Sequence, residues 1–326
     1  MNEDNRKISD YLRMFESCRL CPRECGIDRT ENAIMPNAGF CGESGLLRVA
    51  YVGVHYGEEP PITGIKGSGT VFFTGCSLKC TFCQNYQISR QGMGNSMDID
   101  ELYSRVKKLI IKDQVHNINF VTPDHFFPYT FMLVGRLRDE GYDLPIVYNL
   151  SGYQSVRLLK LAGDFADIYL PDYKYSDPLI ARELSRCENY PERALEAVTE
   201  MVKQKGFLNT AEGISGHATG GVLVRHLILP GMIKNSLNAL TTLFLEFGSG
   251  LPVSLMSQYF PVVTSDNIHL NRTINKDEFE KVYNHAMELG FRNMFVQFPD
   301  QETDITDRNS LPFLPDFRRK DVFSFR

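Results

Sequence analysis

The chain has 326 residues, of which 43% are hydrophobic and 23% charged, and it carries a net charge of −5 at neutral pH. This composition is typical of a globular protein long enough to bury a large core. The negative balance, without a block of lysines or arginines, argues against a nucleic-acid partner. The N-terminus has no apolar signal region and no apolar run approaches the length of a membrane span, so we expect a cytoplasmic protein that does not enter a membrane.

The first feature along the chain is a group of four cysteines, Cys18, Cys21, Cys25 and Cys41. In a reducing compartment, clustered thiols indicate a metal site rather than disulfides. Four thiolates can enclose a structural zinc ion, and they can equally hold an auxiliary iron-sulfur cluster. We therefore predict a small cysteine-rich, metal-binding extension over residues 1–62, and both metals remain open.

From Gly69 onward, strand-like and helix-like segments alternate. Strands are predicted at 69–74, 117–122, 145–150, 166–170, 221–229, 251–258 and 293–297, and helices at 99–112, 128–140, 155–161, 178–187, 192–205, 233–247 and 277–289. Repeated strand-then-helix order indicates a parallel sheet. The fold class is therefore α/β, and we expect a partial (β/α)6 TIM-type barrel over residues 63–299. The glycine-rich stretch 211–221 lacks apolar periodicity and is expected to be a mobile loop, and the tail 300–326 is expected to pack on the barrel.

A second cysteine group, Cys76, Cys80 and Cys83, directly follows the first strand of the predicted barrel with the spacing C-x3-C-x2-C. Soft thiolate ligands suit zinc or an iron-sulfur cluster, and both usually take four protein ligands. Here the local set stops at three. If this group holds a [4Fe-4S] cluster, one iron lacks a protein thiolate and is free to bind another molecule, which indicates chemistry rather than a structural role.

Polar residues gather where the predicted strands end. In a barrel of parallel strands the loops that follow the carboxyl ends converge on one face, which is where active sites lie. The candidate residues at these ends are Thr122, Asn149, Ser151, Asp172, Lys174 and Arg225. For each of them the alternative is a solvated side chain or a helix cap.

The triple-cysteine stretch, with Phe82 before the third cysteine, resembles the radical S-adenosylmethionine (radical SAM) superfamily. The continuation Gln84-Asn85 is similar to the branch of the pyruvate formate-lyase activating enzymes. Several further stretches resemble the PflX-like subgroup of that branch: Cys21-Pro22-Arg23-Glu24-Cys25, Gly57-Glu58-Glu59-Pro60-Pro61-Ile62, Gly67-Ser68-Gly69-Thr70 and Val224-Arg225-His226-Leu227. The resemblance implies a radical SAM barrel that holds a [4Fe-4S] cluster and S-adenosylmethionine.

The resemblance also implies roles for individual residues. Cys76, Cys80 and Cys83 would bind three irons, and the cofactor would chelate the fourth through its amino and carboxylate groups. Phe82 matches an aromatic residue beside the adenine. Asp172 and Lys174 match a D-x-K segment at the methionine end of the cofactor.

The remaining assignments concern the carboxylate and the ribose of the cofactor. Arg225 matches an arginine near the cofactor carboxylate, Asn149 and Ser151 fall where the ribose is met, and Thr122 stands where the branch has Gly-Gly-Glu. A histidine frequent after the last strands of that branch is replaced by Gln258 and Tyr259. No residue is assigned a catalytic role beyond these contacts.

The function implied by the resemblance is reductive cleavage of S-adenosylmethionine to a 5'-deoxyadenosyl radical that abstracts hydrogen from a peptide or protein, with a flavodoxin or ferredoxin as reductant. The departures from the branch pattern leave a glycyl-radical partner in doubt. Two alternatives remain: a non-catalytic iron-sulfur electron carrier or scaffold, and a protein with structural zinc at both cysteine groups.

Overall fold

The computed structural model describes residues 10–30, 38–214, 216–299 and 314–323. In these ranges the strands are β1 (Arg48–His55), β2 (Ser68–Phe73), β3 (Asn95–Ser96), β4 (Ile118–Val121), β5 (Ile146–Leu150), β6 (Ile168–Pro171), β7 (Asn209–Ile214), β8 (Ala218–Val222), β9 (Val224–Leu227), β10 (Val253–Met256) and β11 (Met294–Val296). The helices are α1 (Pro60–Thr63), α2 (Tyr86–Ser89), α3 (Ile99–Lys108), α4 (Phe127–Asp139), α5 (Val156–Ala162), α6 (Pro178–Ser185), α7 (Tyr190–Lys205), α8 (Ile233–Phe247) and α9 (Lys276–Leu289).

The strands form two sheets that continue one another. The larger sheet has the order β3-β1-β2-β4-β5-β6-β8-β7, and the smaller has the order β11-β10-β9. Strands β2, β4, β5, β6 and β8 pair in parallel, as do β9, β10 and β11. A parallel bridge between Asp172 and Arg225 joins the two sheets. The predicted α/β class with a parallel, partly closed barrel is confirmed.

The helices begin and end where local side-chain chemistry directs them. The carboxylate of Asp98 accepts a hydrogen bond from the backbone N–H of Glu101 at 2.7 Å, and Asn275 forms a capping box with Glu278 at the start of α9. Such caps satisfy backbone donors that the first helical turn leaves free. After α3 the chain continues as a π-helical turn to Asp113, so the predicted helix 99–112 is present but irregular at its end.

The glycine-rich stretch 211–221 is not a loop, and that prediction is wrong. It contributes to a hairpin in which β7 and β8 pair antiparallel, with Asn209 opposite Gly220 and Thr210 opposite Ala218. The predicted strand 221–229 is split at Leu223, where the chain leaves the larger sheet and enters the smaller one. Backbone pairing with distant strands supplies the stability that apolar periodicity within the stretch does not indicate.

Side chains alternate between the two faces of the barrel wall. Val71, Phe73, Ile118 and Phe120 belong to the main core beneath the helices. On the inner face, Ile62 of α1 joins a cluster that contains Val147, Ile168, Leu170, Ala218 and Leu223. The segment between β1 and β2 therefore enters the barrel and fills part of its interior.

Residues 314–323 pack on one face of the larger sheet, against β1, β2 and β4. The rings of Phe317 and Phe323 pack on Phe72 of β2, with centroids 5.6 and 5.5 Å away. The rest of the proposed tail domain, residues 300–313 and 324–326, lies outside the described residues, as do residues 1–9 and 31–37 of the proposed extension. Within the described ranges, no helix is both long and apolar enough to cross a membrane.

Candidate active site

A cavity of about 630 Å³ opens at the carboxyl ends of the barrel strands. Its lining includes every residue that the sequence suggested for the cluster and the cofactor: Cys76, Cys80, Phe82, Cys83, Thr122, Asn149, Ser151, Asp172, Lys174 and Arg225. The volume falls in the range of pockets that enclose a small-molecule cofactor. Their individual contacts to a cofactor stay predictions, but the fold brings all ten side chains to one space.

We call Cys76, Cys80 and Cys83 the cysteine triad. Each of its sulfur atoms accepts one hydrogen bond from the surrounding protein. Leu78 N–H lies 3.4 Å from the Cys76 sulfur, and the hydroxyls of Ser185 and Ser89 lie 3.0 and 3.3 Å from the sulfurs of Cys80 and Cys83. Hydrogen bonds of this kind stabilise thiolates and tune the reduction potential of a cluster bound by them.

The triad suits a positively charged metal cluster. Burial raises the pKa of the Cys76 and Cys83 thiols, and the proximity of the other triad thiols raises it further. Three buried thiolates would repel one another, so they need a cation among them to stay deprotonated. Among the described residues no three His, Cys, Asp or Glu side chains converge tightly enough for a single ion. A four-iron cluster takes one thiolate per iron and does not require such convergence.

An ion network also lines the cavity, and its Lys174 interacts electrostatically with Cys80 and Cys83 of the triad. The Arg225 guanidinium donates from Nε to Asp172 Oδ1 at 3.1 Å, and its Nη2 donates to Asn149 Oδ1. Lys174 Nζ donates to the other Asp172 oxygen. These side chains are only 12 to 17% exposed. The network therefore presents fixed charges to the cavity with little screening by water.

The network keeps its members charged. Burial opposes ionisation of Asp172, but attraction to Lys174 and Arg225 outweighs burial and holds the pKa of this carboxyl below its usual value. Burial likewise opposes the charge on Lys174, and Asp172 more than restores it, so the pKa of this amine is raised. A zwitterionic amino-acid group could therefore meet a cation and an anion at neighbouring positions.

Three further predicted residues, Phe82, Thr122 and Ser151, also line the cavity. Phe82 is buried near the rings of Tyr175 and Tyr259, each with its centroid 6.3 Å away. Thr122 directly follows β4 and has a φ of +53°, a backbone conformation uncommon for this residue type. Ser151 is buried and accepts a hydrogen bond from Gln154 at 3.2 Å. Strain and burial of this kind are frequent at functional sites.

We call Cys18, Cys21, Cys25 and Cys41 the cysteine quartet, and it lies outside the cavity. Cys18, Cys21 and Cys41 are buried, and Cys25 is partly exposed. A Cβ atom on Gly39 would lie 3.3 Å from the Cys41 sulfur and 3.8 Å from the Cys25 sulfur, so both thiols flank this glycine. Burial raises the pKa of Cys21, with smaller contributions from Cys41 and Cys18 nearby. The four residues are neighbours, and their role as metal ligands stays a prediction.

The quartet and the triad are in direct contact through the backbone. The Cys76 N–H donates to the Cys41 carbonyl at 3.2 Å. Gly75 has a φ of +77°, and a Cβ there would lie 2.9 Å from that same carbonyl, so only glycine allows this approach. Arg23, within the quartet, donates to the carbonyls of Ser77 and Ser185 at 3.0 and 3.1 Å. The extension therefore supports the loop that carries the triad.

Glu58 and Glu59 also line the cavity, and we call the part that they form the cavity floor. Sequence reasoning assigned no role to either residue. Glu58 accepts hydrogen bonds from Asn119, Asn149 and Arg225 at 3.0 to 3.2 Å. In the sequence, the stretch Gly57–Ile62 indicated only a resemblance to the subgroup. A pair of adjacent carboxylates before Pro-Pro was the available signal, but its partners lie far away in sequence.

Comparison with known proteins agrees with this geometry. Residues 70–219 match the family model described as the radical SAM superfamily. A protein of Methanocaldococcus jannaschii, "Uncharacterized protein MJ0674", is 27% identical over 296 residues, which cover 87% of this chain and 77% of that protein.

Solved structures that match parts of this chain include methylornithine synthase (PylB), with a TM-score of 0.44 at 15% identity, and Streptococcus suis SuiB bound to S-adenosylmethionine, with a TM-score of 0.45 at 10% identity. The matches cover 67 and 68% of this chain but only 60 and 48% of those proteins.

The family match includes the triad, Phe82 and the residues of the ion network up to Lys174, which are the parts that line the cavity. Radical SAM proteins cleave S-adenosylmethionine at a [4Fe-4S] cluster, and the triad and the network fit these two groups. Residues 70–219, slightly less than half of the chain, are thus similar to the radical SAM superfamily.

Proposed function

We propose that this protein is a radical SAM oxidoreductase of the activating-enzyme type that abstracts hydrogen from a peptide or protein substrate. The observation that carries the proposal is the cavity, which is lined by both the triad and the Asp172, Lys174 and Arg225 network. Asp172-x-Lys174 is the segment most similar to pyruvate formate-lyase activating enzymes. When bound, the cluster and S-adenosylmethionine supply one-electron cleavage of the sulfonium, which yields methionine and the 5'-deoxyadenosyl radical.

The residues of the chain position and shield this chemistry. Asp172 and Lys174 would hold the amino-acid end of the cofactor, and Arg225 would orient Asp172 while remaining close to the cofactor carboxylate. Phe82, together with the buried wall around it, would keep water from the adenosyl group. Exclusion of water and stray hydrogen donors protects a carbon radical until it meets its substrate.

The alternative of an iron-sulfur electron carrier is less well supported. A carrier needs its cluster near the surface and has no use for a cavity that is lined by a buried ion network as well as by the triad. Structural zinc at the triad would need a fourth ligand, and the described residues bring no fourth His, Cys, Asp or Glu to those thiols.

The sequence departs from the activating-enzyme pattern at two places. For this reason the proposal specifies a peptide or protein substrate and does not name a glycyl-radical enzyme. Asp124, which stands near the usual Gly-Gly-Glu position, is fully buried and accepts a hydrogen bond from Ser77 at 3.0 Å, so its carboxylate does not line the cavity. Gln258 does line the cavity, where the branch often has a histidine. A flavodoxin or ferredoxin is the proposed reductant.

The experiment uses protein purified without oxygen, with S-adenosylmethionine and dithionite. Perdeuterated cell extract is separated by size into a macromolecular and a small-molecule fraction, and each is added separately. We expect deuterium in 5'-deoxyadenosine only with the macromolecular fraction, because the label arrives only when a substrate C–D bond is broken. Label that appears only with the small-molecule fraction would contradict a peptide or protein substrate.

The controls are a matched pair of cysteine variants. Cys80→Ala removes a triad thiol, and Cys187→Ala removes another buried thiol that does not line the cavity. We expect 5'-deoxyadenosine from the wild type and from Cys187→Ala but not from Cys80→Ala. A reconstituted wild-type protein that holds a reducible cluster and never cleaves the cofactor would favour the electron-carrier alternative.

A further inference from the structure

The floor of the cavity is formed by a rigid segment between β1 and β2. The Thr63 hydroxyl donates to the Glu58 carbonyl at 2.8 Å, and Asn117 donates to the Ile62 carbonyl at 2.7 Å. Ile62 is completely buried in the barrel interior. Glu58 and Glu59 are therefore held in place in the lining of the cavity, beside Asn149 and Arg225.

The two carboxylates have different surroundings. Glu58, only 8% exposed, is fully engaged by Asn119, Asn149 and Arg225. Glu59 lies close to Arg225 and Ser254, but its Oε2 atom is shielded from solvent and has no hydrogen-bond partner in the described part of the chain. An unpaired buried carboxylate oxygen costs free energy that a ligand able to donate a hydrogen bond would recover.

Two more buried polar atoms near this segment lack partners among the described residues. Asn119 is completely buried, and its Oδ1 is unpaired, although its Nδ2 donates to Glu58. His55 lines the cavity with its Nδ1 unpaired. Burial lowers the pKa of His55 to about 4, so the ring is neutral at pH 7 and one of its nitrogens can accept a hydrogen bond. Glu59, Asn119 and His55 can therefore each accept a further hydrogen bond.

The charged residues that line the cavity also favour a cationic ligand. Its described lining contains three carboxylates and two cations: Glu58, Glu59, Asp172, Lys174 and Arg225. A [4Fe-4S] cluster with three thiolates carries a net negative charge, and S-adenosylmethionine carries a net positive charge that offsets it. Burial and the neighbouring Glu58 carboxylate raise the pKa of Glu59 above its usual value despite the attraction of Arg225, so the charge of this carboxylate is poorly compensated. Burial in low dielectric makes an uncompensated charge costly, so a cation is favoured there.

We propose that Glu59, supported by Glu58, forms a recognition subsite for a protonated basic group of the substrate, an alkylammonium or a guanidinium. This inference rests on the proposed function and specifies its substrate: a peptide or protein that inserts a lysine or arginine side chain toward the cavity floor. The reacting C–H bond then belongs to the chain that carries this basic group, or to a residue next to it.

The test is a binding measurement on the anaerobic holoenzyme with S-adenosylmethionine bound. The probes are two matched pairs: N-acetylarginine amide against N-acetylcitrulline amide, and N-acetyllysine amide against N-acetylnorleucine amide. Each pair differs mainly in charge. We expect at least one basic probe to bind about tenfold more tightly than its neutral partner, measured by equilibrium dialysis. The pair with the larger ratio identifies the group as guanidinium or alkylammonium.

Variants assign the preference to Glu59. Glu59→Gln keeps the size of the side chain and removes its charge, so the ratio within each pair should fall to about one. Glu59→Asp should retain part of the preference, and Glu196→Gln, on the exposed face of α7, should leave it unchanged. Equal binding of basic and neutral probes to the wild type, or no binding of a basic probe at about 10 mM, overturns the inference. A preference that persists in Glu59→Gln also overturns the role of this carboxylate.

The proposed function is tested separately on the same samples. Iron content and 5'-deoxyadenosine formation without any probe report on cofactor cleavage, whatever the basic probes do. A wild type that forms 5'-deoxyadenosine but ignores charge refutes only the subsite. If Glu59→Gln loses iron, the wild-type probe ratios and Glu59→Asp still decide the question.

Discussion

The quartet and the triad contain the same chemical group in different surroundings. The triad sulfurs face a cavity and accept hydrogen bonds from neutral donors, whereas no residue of the quartet lines the cavity. In the quartet, Cys18 accepts a hydrogen bond from Arg29 at 3.3 Å, and this arginine is itself only 1% exposed. Three ligands beside open space suit reaction at a metal, and four ligands away from the cavity, three of them buried, suit a metal that stabilises the fold.

The largest expected effect comes from the triad. Cys76→Ala should abolish 5'-deoxyadenosine formation and remove the cavity iron, because an iron that loses its only protein ligand leaves the cluster. The loss should exceed the roughly 10- to 100-fold effects typical of residues that only support a metal ligand. Iron analysis and the dithionite assay measure it. An active Cys76→Ala protein would break the distinction between the two groups.

The quartet should respond in the opposite way. Cys21→Ala is expected to remove one metal equivalent and to lower the free energy of unfolding by about 3 kcal/mol or more, because the metal is predicted to stabilise the fold. The iron of the cavity should remain in the molecules that stay folded. Metal counting together with urea unfolding tests this. An unchanged metal content would show that the quartet binds none.

A smaller effect is expected from the contact between the groups. Arg23→Ala removes hydrogen bonds to three backbone carbonyls, those of Ser77, Ser185 and Arg186. The unfolding free energy should fall by about 1–3 kcal/mol, and the triad cluster should be lost faster in air because its loop is less well supported. Arg13→Ala, an exposed arginine with long contacts only, is the control. Equal cluster lifetimes in the two variants would show that the quartet does not support the triad loop.

The smallest expected effect is that of Glu278→Gln. This variant is a control for the cysteine and Arg23 variants, because it changes the stability of the fold far from both cysteine groups. A hydrogen-bonded ion pair with Arg272 lowers the pKa of Glu278 to about 2. A depressed carboxyl pKa stabilises the fold above the pKa of the unfolded chain, so the benefit is complete at pH 7 and disappears as pH falls from about 4.5 toward 2. Glu278→Gln should therefore cost about 1–3 kcal/mol at pH 7 and less than half of that at pH 3.

Urea unfolding at the two pH values measures this difference, and metal content at pH 7 should be unchanged. A penalty that stays constant with pH would mean that packing, rather than the charge of Glu278, supplies the stability. Loss of metal in this variant would mean that any loss of stability empties the sites, and Cys21→Ala would then say nothing specific about the quartet.

The sequence by itself determined the features that depend on neighbours along the chain. Three cysteines spaced C-x3-C-x2-C can converge within one loop, and the alternation of apolar strands with amphipathic helices indicates a parallel barrel, because both signals are local. Strand ends such as Asp172 to Lys174 could be placed at the cavity once the barrel was inferred. The subgroup, the substrate and the metal of the quartet stay predictions.

The tertiary structure decided what depends on distant partners. Glu58 meets Asn119, Asn149 and Arg225 across 61, 91 and 167 residues of sequence, and no periodicity encodes such contacts. The pairing of β8 with β6 and the backbone bond from Cys76 to Cys41 are likewise products of packing. The sequence determined which chemical groups the protein carries, and long-range packing determined which of them line the same cavity. The reason is that only the folded chain brings such distant residues within hydrogen-bonding distance.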